Sequence, residues 1–233
     1  MGVFADIKSD FLNAYRNDPA LSSKFELFFN YPGVWSLAWY RVAHKLYNAN
    51  FKRVARIIMG LNQIVTNIDI HPAAKIGKNL FIDHGTGVVI GETTVIEDNV
   101  LIYQGVTLGG VSLTHGKRHP TIKSGVVIGA GAKILGDIEI GEEAKIGANS
   151  VVVKPVPACS TAIGIPAHVI EKGRCKDPFM HNKLPDINKE IFEYLLKRVA
   201  VLEHILMKDN KEVLQKDLEL ESIYHSFIKS MKN

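Results

Sequence analysis

An aliphatic residue recurs at every sixth position through the middle of the chain, and this rhythm limits the fold more than any other feature. Counting from Ile70 in steps of six reaches Ile76 and Ile82. After a slip of two residues come Ile90, Ile96, Ile102 and Leu108. An interruption follows, and then Ile122, Ile128, Ile134, Ile140, Ile146 and Val152. All thirteen positions are Ile, Leu or Val. Glycine follows directly at 77, 91, 109, 129, 141 and 147. Four residues after most ladder positions stands a small or β-branched residue: Ala74, Thr86, Thr94, Val100, Val106, Ala132, Ala144, Ser150.

A period of six is neither the 3.6 of a helix nor the alternation of an ordinary strand. It predicts a solenoid whose coil is a triangle of short strands and tight corners. Each side turns one large aliphatic inward, onto its equivalent in the next coil. The small residue lets the chain round the corner, and glycine can take turn conformations closed to other residues. No single repeat could bury its ladder residue alone; stacking does so continuously. Chance aliphatic richness in a β-sandwich does not reproduce the match at every template position.

The flanks read differently. Residues 1–66 have helical spacing at Asp10 to Ala14, from Val34 to Leu46 and from about Phe51 to Val65, where Arg53 and Arg56 take the wet side. Tyr31-Pro32-Gly33 breaks the chain before the second stretch, and Asp18-Pro19 could open a further short helix. After residue 172, Ile191, Leu195, Val199, Leu202 and Leu206 form an amphipathic stripe that needs a partner, either the chain itself or a neighbouring protomer. The expected class is α+β. A helical domain (1–66) precedes the solenoid (67–171), and a helical extension (172–233) follows it.

With 233 residues the chain can bury a core without staples, and a net charge of +4 spread along it gives little reason to expect nucleic acid. No signal-peptide pattern opens it, and no apolar run is long enough to span a bilayer. The spacing of Cys159 and Cys175 fits neither zinc nor a CxxC motif, so two reduced thiols in a cytoplasmic protein are expected.

Chemistry is expected where the rhythm breaks, because solenoid insertions form loops on one face. The larger break, GGVSLTHGKRHPT from Gly109 to Thr121, carries His115, Lys117, Arg118 and His119; the smaller is Asp83-His84-Gly85-Thr86-Gly87. Asp69 lies about one coil below His84, so carboxylate and imidazole are expected within hydrogen-bond reach. Such a pair makes a general base near neutral pH. No Ser or Cys sits in a nucleophile motif, which leaves the substrate's own hydroxyl as the attacking group. The histidine spacing matches no zinc pattern, and no metal is expected.

The run DIHPAAKIGKNLFIDHGTGVVIG, with GETTVIEDNV, GVTLGG and KRHPTI after it, resembles the serine O-acetyltransferase family of hexapeptide-repeat acyltransferases from about Asp18 to Ile170. The resemblance implies a left-handed parallel β-helix that trimerises, with active sites between protomers. It implies acetyl-CoA as donor and L-serine as acceptor, in cysteine biosynthesis. Carried over by position, His84 is the general base and Asp69 the carboxylate that orients it. Asp83, Arg118 and His119 fall where serine's amino and carboxylate groups bind. Asp18 matches a serine-contacting aspartate, and Glu92 a further acidic position. Gly110, Ala130 and Ala148 fall where the backbone meets the pantetheine arm. Direct transfer in a ternary complex is expected, without an acetyl-enzyme.

The resemblance also implies feedback inhibition by L-cysteine. The N-terminal helical segment is shorter than in the enteric enzymes that pair two trimers, so a trimer is expected before a hexamer. The chain ends Ser230-Met231-Lys232-Asn233 rather than in the isoleucine that inserts into cysteine synthase, which speaks against that complex. Two alternatives remain at this stage: a hexapeptide acetyltransferase acting on a sugar or another small hydroxyl acceptor, and a non-catalytic scaffold.

Overall fold

The computed structural model describes residues 2–17, 23, 26–172, 192, 194–200 and 202. Contacts divide the chain into two compact units, Met1–Leu184 and Pro185–Asn233. In the second unit, the described residues 194–200 are helical, with Leu195, Val199 and Leu202 exposed.

The first unit opens with four helices: α1 (Val3–Asn17), α2 (Leu27–Asn30), α3 (Pro32–Asn48) and α4 (Lys52–Thr66). Pro32 sits in the first turn of α3, where its missing N–H costs nothing. Asn67 ends α4 in the left-handed conformation, and the solenoid starts two residues later. The short helix anticipated at Asp18-Pro19 lies outside the described residues.

The solenoid has three parallel faces. The first holds Asp69–Ile70, Val89–Ile90, Thr107–Gly109, Lys133–Leu135 and Val151–Val152. The second holds Lys75–Ile76, Val95–Ile96, Thr121–Ile122 and Glu139–Ile140. The third holds Phe81–Ile82, Leu101–Ile102, Val127–Ile128 and Lys145–Ile146, and ends in an antiparallel pair, Ser160–Gly164 with Ala167–Lys172. Successive strands stack in register: Ile70 on Ile90, Ile96 on Ile122, Ile102 on Ile128. Every ladder residue from Ile70 to Val152 is buried. Each full burial of that kind contributes roughly 1.5–3 kcal/mol.

The corner residues follow the repeat with one exception. Ala74, Thr94, Val100, Val106, Ala132, Ala144 and Ser150 are buried. Thr86 is exposed, because the two-residue slip puts Val88 in the inner place instead.

Polar anchors dock the helices on the first coil. Arg41 pairs with the buried Asp10 at 2.9 Å and donates to the Ile76 carbonyl at 2.7 Å. Asn62, fully buried, donates to Ser36 Oγ and to the Ile68 carbonyl, both at 3.0 Å. As a result α4 turns Ala55, Met59, Asn62 and Thr66 inward and leaves Val54, Ile57, Leu61, Ile64 and Val65 exposed.

Cys159 is disulfide-bonded. This corrects the expectation of reduced thiols: sequence spacing excludes zinc and CxxC patterns, but only the fold decides which sulfurs meet. No described helix is long and apolar enough to cross a membrane.

Candidate active site

The two breaks in the rhythm flank the same face. The slip at 83–88 forms the corner between the third face and the first. The insertion at 110–120 forms the corner between the first face and the second, beside Glu92 and His71. Asp69 begins the first strand of the face between them.

At the second edge, Arg118, His119 and Glu92 form one cluster. Arg118 Nη2 donates to Glu92 Oε2 at 2.6 Å. That hydrogen bond holds the Glu92 carboxyl below its ordinary value. His119 is buried. Burial first, and the Arg118 charge second, hold its imidazole below its ordinary value, so it is neutral at pH 7. His71 is held down in the same way by burial and then by Arg56. Among the described residues no group of three His, Cys, Asp or Glu could hold a metal.

These residues line a cleft of about 360 Å³. Asp69, Glu92, Arg118 and His119 share its wall with Arg56 and Gln63 of α4, and with His71. Two carboxylates and a guanidinium with donors to spare suit a small zwitterion: the carboxylates meet an ammonium, the guanidinium a carboxylate. Gln63 and Arg56 were not legible in the sequence as site residues, because the helical spacing carries no information on what stands opposite. Thr93, in the GETT block, also contacts the cluster.

The first edge has another character. His84 takes a left-handed backbone, φ 58°, and Gly85 and Gly87 continue it at 75° and 74°. This geometry turns the His84 side chain outward, 74% exposed. Its nearby carboxylate is Asp83, Nε2 to Oδ1 4.0 Å, which is beyond hydrogen-bond reach. Among the described residues no hydrogen bond joins His84 to Asp69. The two are nevertheless neighbours in the stack: Gly87 N–H donates to the Asn67 carbonyl at 2.8 Å, and Asp69 N–H to that of Val88 at 2.9 Å.

Ala130 and Ala148 lie farther along the His84 edge. Corner amides stitch that edge together: Gly105 to Thr86, Gly131 to Gln104 and Asn149 to Ala130, each at 2.8 Å. Gly105 and Gly131 are stacked so closely that a Cβ at 105 would stand 3.4 Å from the Gly131 Cα. Gly110 is at the opposite edge, where a Cβ would come 3.1 Å from the Arg118 carbonyl oxygen. Asp18 lies outside the described residues.

A three-faced solenoid with a charged cleft at an insertion defines a hexapeptide-repeat transferase. Its family model, bacterial transferase hexapeptide (six repeats), matches residues 119–154. A serine acetyltransferase of Synechococcus elongatus is 45% identical over 202 residues, 86% of this chain and 83% of that protein. One of Mycobacterium tuberculosis is 47% identical over 199 residues, 84% of this chain and 86% of that protein. Among solved structures, a serine acetyltransferase in complex with cysteine superposes with TM-score 0.75 at 43% identity, covering 79% of this chain and 72% of that one. Another, in complex with CoA, gives 0.69 at 46% identity, covering 72% and 70%. The chain belongs to the serine acetyltransferase family and is an acyltransferase.

Proposed function

We propose that this chain moves the acetyl group of acetyl-CoA onto the hydroxyl of L-serine by direct transfer, giving O-acetyl-L-serine and CoA. The observation that carries the proposal is the cleft in which Asp69, Glu92, Arg118 and His119 converge, in a chain of this family. Arg118 takes the serine carboxylate in its fork. Asp83 and Asp18 supply negative charge for the ammonium, Glu92 is a further acidic group that holds Arg118, and His119 makes a further polar contact.

His84 removes the hydroxyl proton as the oxygen attacks the thioester carbonyl; Asp69, its neighbour in the stack, would orient it only once assembly turns the exposed ring toward it. The C–O bond forms as the carbonyl π pair moves to oxygen; collapse of that oxyanion expels CoA thiolate, which takes up the proton. Ala130 and Ala148, on the His84 edge, and Gly110 offer backbone to the pantetheine arm.

The His84 side chain is exposed in the single chain, and a neighbouring protomer would cover it. The exposed stripe Val54, Ile57, Leu61, Ile64 and Val65 of α4 supplies apolar surface for assembly. A homotrimer is the proposed state, with a hexamer as the alternative, and light scattering after size exclusion measures which. L-Cysteine is the proposed feedback inhibitor at the serine site, and the cytoplasm the proposed location. In this scheme residues 1–66 support the cleft, 67–171 carry the chemistry, and 172–233 form an extension.

A thiol-release assay with acetyl-CoA tests the proposal. L-Serine is expected to react and glucosamine not to; turnover with the sugar alone would overturn it.

A further inference from the structure

Thr93 has no role in the mechanism above, yet four hydrogen bonds converge on it from residues far away in the chain. Its Oγ1 accepts the Arg118 backbone N–H at 3.0 Å and the His119 backbone N–H at 3.1 Å. The same oxygen lies 2.8 Å from His119 Nδ1. The Thr93 backbone N–H donates to that Nδ1 as well, at 3.2 Å.

The donor count fixes the protons. A threonine hydroxyl has two lone pairs and one hydrogen. Two backbone amides occupy the lone pairs, so the hydroxyl hydrogen goes to Nδ1. Nδ1 then receives both the Thr93 O–H and the Thr93 N–H, and can only be the unprotonated nitrogen. The ring proton is therefore on Nε2. That end of the ring covers Gly91, where any Cβ would overlap it, and His119 and Gly91 both line the cleft. A threonine that merely caps its own turn would bond two or three residues away. Here the partners are 25 and 26 residues distant.

We propose that Thr93 is a positioning residue that holds His119 as the Nε2–H tautomer, making it a hydrogen-bond donor to an anionic oxygen in the cleft. This builds on the acetyl-transfer mechanism above. The oxygen belongs either to the acceptor's carboxylate or to the oxyanion formed from the thioester carbonyl. Both need a donor, and the kinetics distinguish them. The same hydroxyl sets the position of Arg118 through its backbone, so one side chain aligns two neighbouring recognition groups.

Two measurements test the proposal. The first is a nitrogen NMR spectrum of the ligand-free protein labelled with 15N-histidine. The His119 signals, assigned as those lost in His119→Gln, are expected to show an unprotonated Nδ1 and a protonated Nε2; His71, whose Nδ1 accepts the Ala73 N–H, gives a second such set that the variant leaves in place. A protonated Nδ1 at His119 overturns the proposal whatever the activity, and this reading needs no Thr93 variant to fold.

The second compares Thr93→Val, which keeps the shape, with Thr93→Ser, which keeps the hydroxyl. Thr93→Val is expected to lose about tenfold or more in kcat/KM, and Thr93→Ser to stay within about threefold of wild type. A rise in KM for serine alone assigns the donor to the acceptor carboxylate; a fall in kcat alone assigns it to the oxyanion. A folded Thr93→Val with wild-type kinetics overturns the proposal. Absence of serine turnover in the wild type would instead refute the acetyl-transfer mechanism and leave the NMR result to stand by itself.

Discussion

Arg118 and Glu92, 26 residues apart in the chain, meet at 2.6 Å across one corner of the solenoid. The pair is partly open to solvent, so its stabilising effect is small. Its consequence is orientation: one amino group of the guanidinium is held by Glu92, and the guanidinium lines the cleft.

Arg118→Lys keeps the charge and loses the planar fork. The KM for L-serine is expected to rise about ten- to a hundredfold, the range for a lost charged hydrogen bond. The KM for acetyl-CoA should change little. Steady-state kinetics with each substrate varied in turn check this, and equal changes in both would contradict the assignment.

His84 occupies a left-handed position, so replacing it by alanine would mix chemistry with backbone strain. Asparagine tolerates that conformation. His84→Asn is expected to keep its melting temperature and lose about 10²–10⁴ in turnover, the range for a general base. Turnover within a few-fold of wild type would remove His84 from the mechanism.

Thr94 is fully buried, and its hydroxyl finds no hydrogen-bond partner among the described residues. Val100, Val106 and Val126 fill the equivalent corner elsewhere. Thr94→Val should therefore stabilise the fold by about 1 kcal/mol, measured by denaturant unfolding. A lower midpoint would reveal a partner for the hydroxyl.

His119 is held below its ordinary 6.5 by burial and by Arg118. The unfolded chain then binds more protons than the folded one below that value. Its contribution to stability is fully present above 6.5 and lost as pH falls through the folded value. His71 shifts in the same direction. Between about pH 7.5 and pH 5.5 the melting temperature should fall, and fall less in His119→Gln. An identical slope in the variant would show that other groups carry the effect.

Much of the fold was legible in the residues because the solenoid is built from a local rule. Ile90 stacks on Ile70 because each repeat carries the same inward position, and spacing alone reveals that. Helices α3 and α4 were legible in extent, α1 only from Asp10 to Ala14 and α2 not at all, and the buried face of α4 was not legible. The apolar stripe of α4 invites burial, yet Ile64 is 82% exposed and Asn62 faces inward. Asn62 has two partners there, Ser36 and Ile68, that no helical pattern announces.

The site divides in the same way. Asp69, Arg118 and His119 stood out in the sequence and Glu92 came from the family resemblance; all four line one cleft. The Asp69–His84 hydrogen bond was also expected. Left-handed backbone at His84, Gly85 and Gly87 instead carries His84 outward.

By itself, the sequence determined that this chain stacks in coils of six-residue sides, and where that rhythm breaks. Those properties depend on residues close together along the chain. Only the tertiary structure decided which break residues share a cleft, which face α4 buries and how Thr93 meets His119. Those contacts depend on coil height and on the path of the 110–120 insertion, which bring together groups separated by two dozen residues.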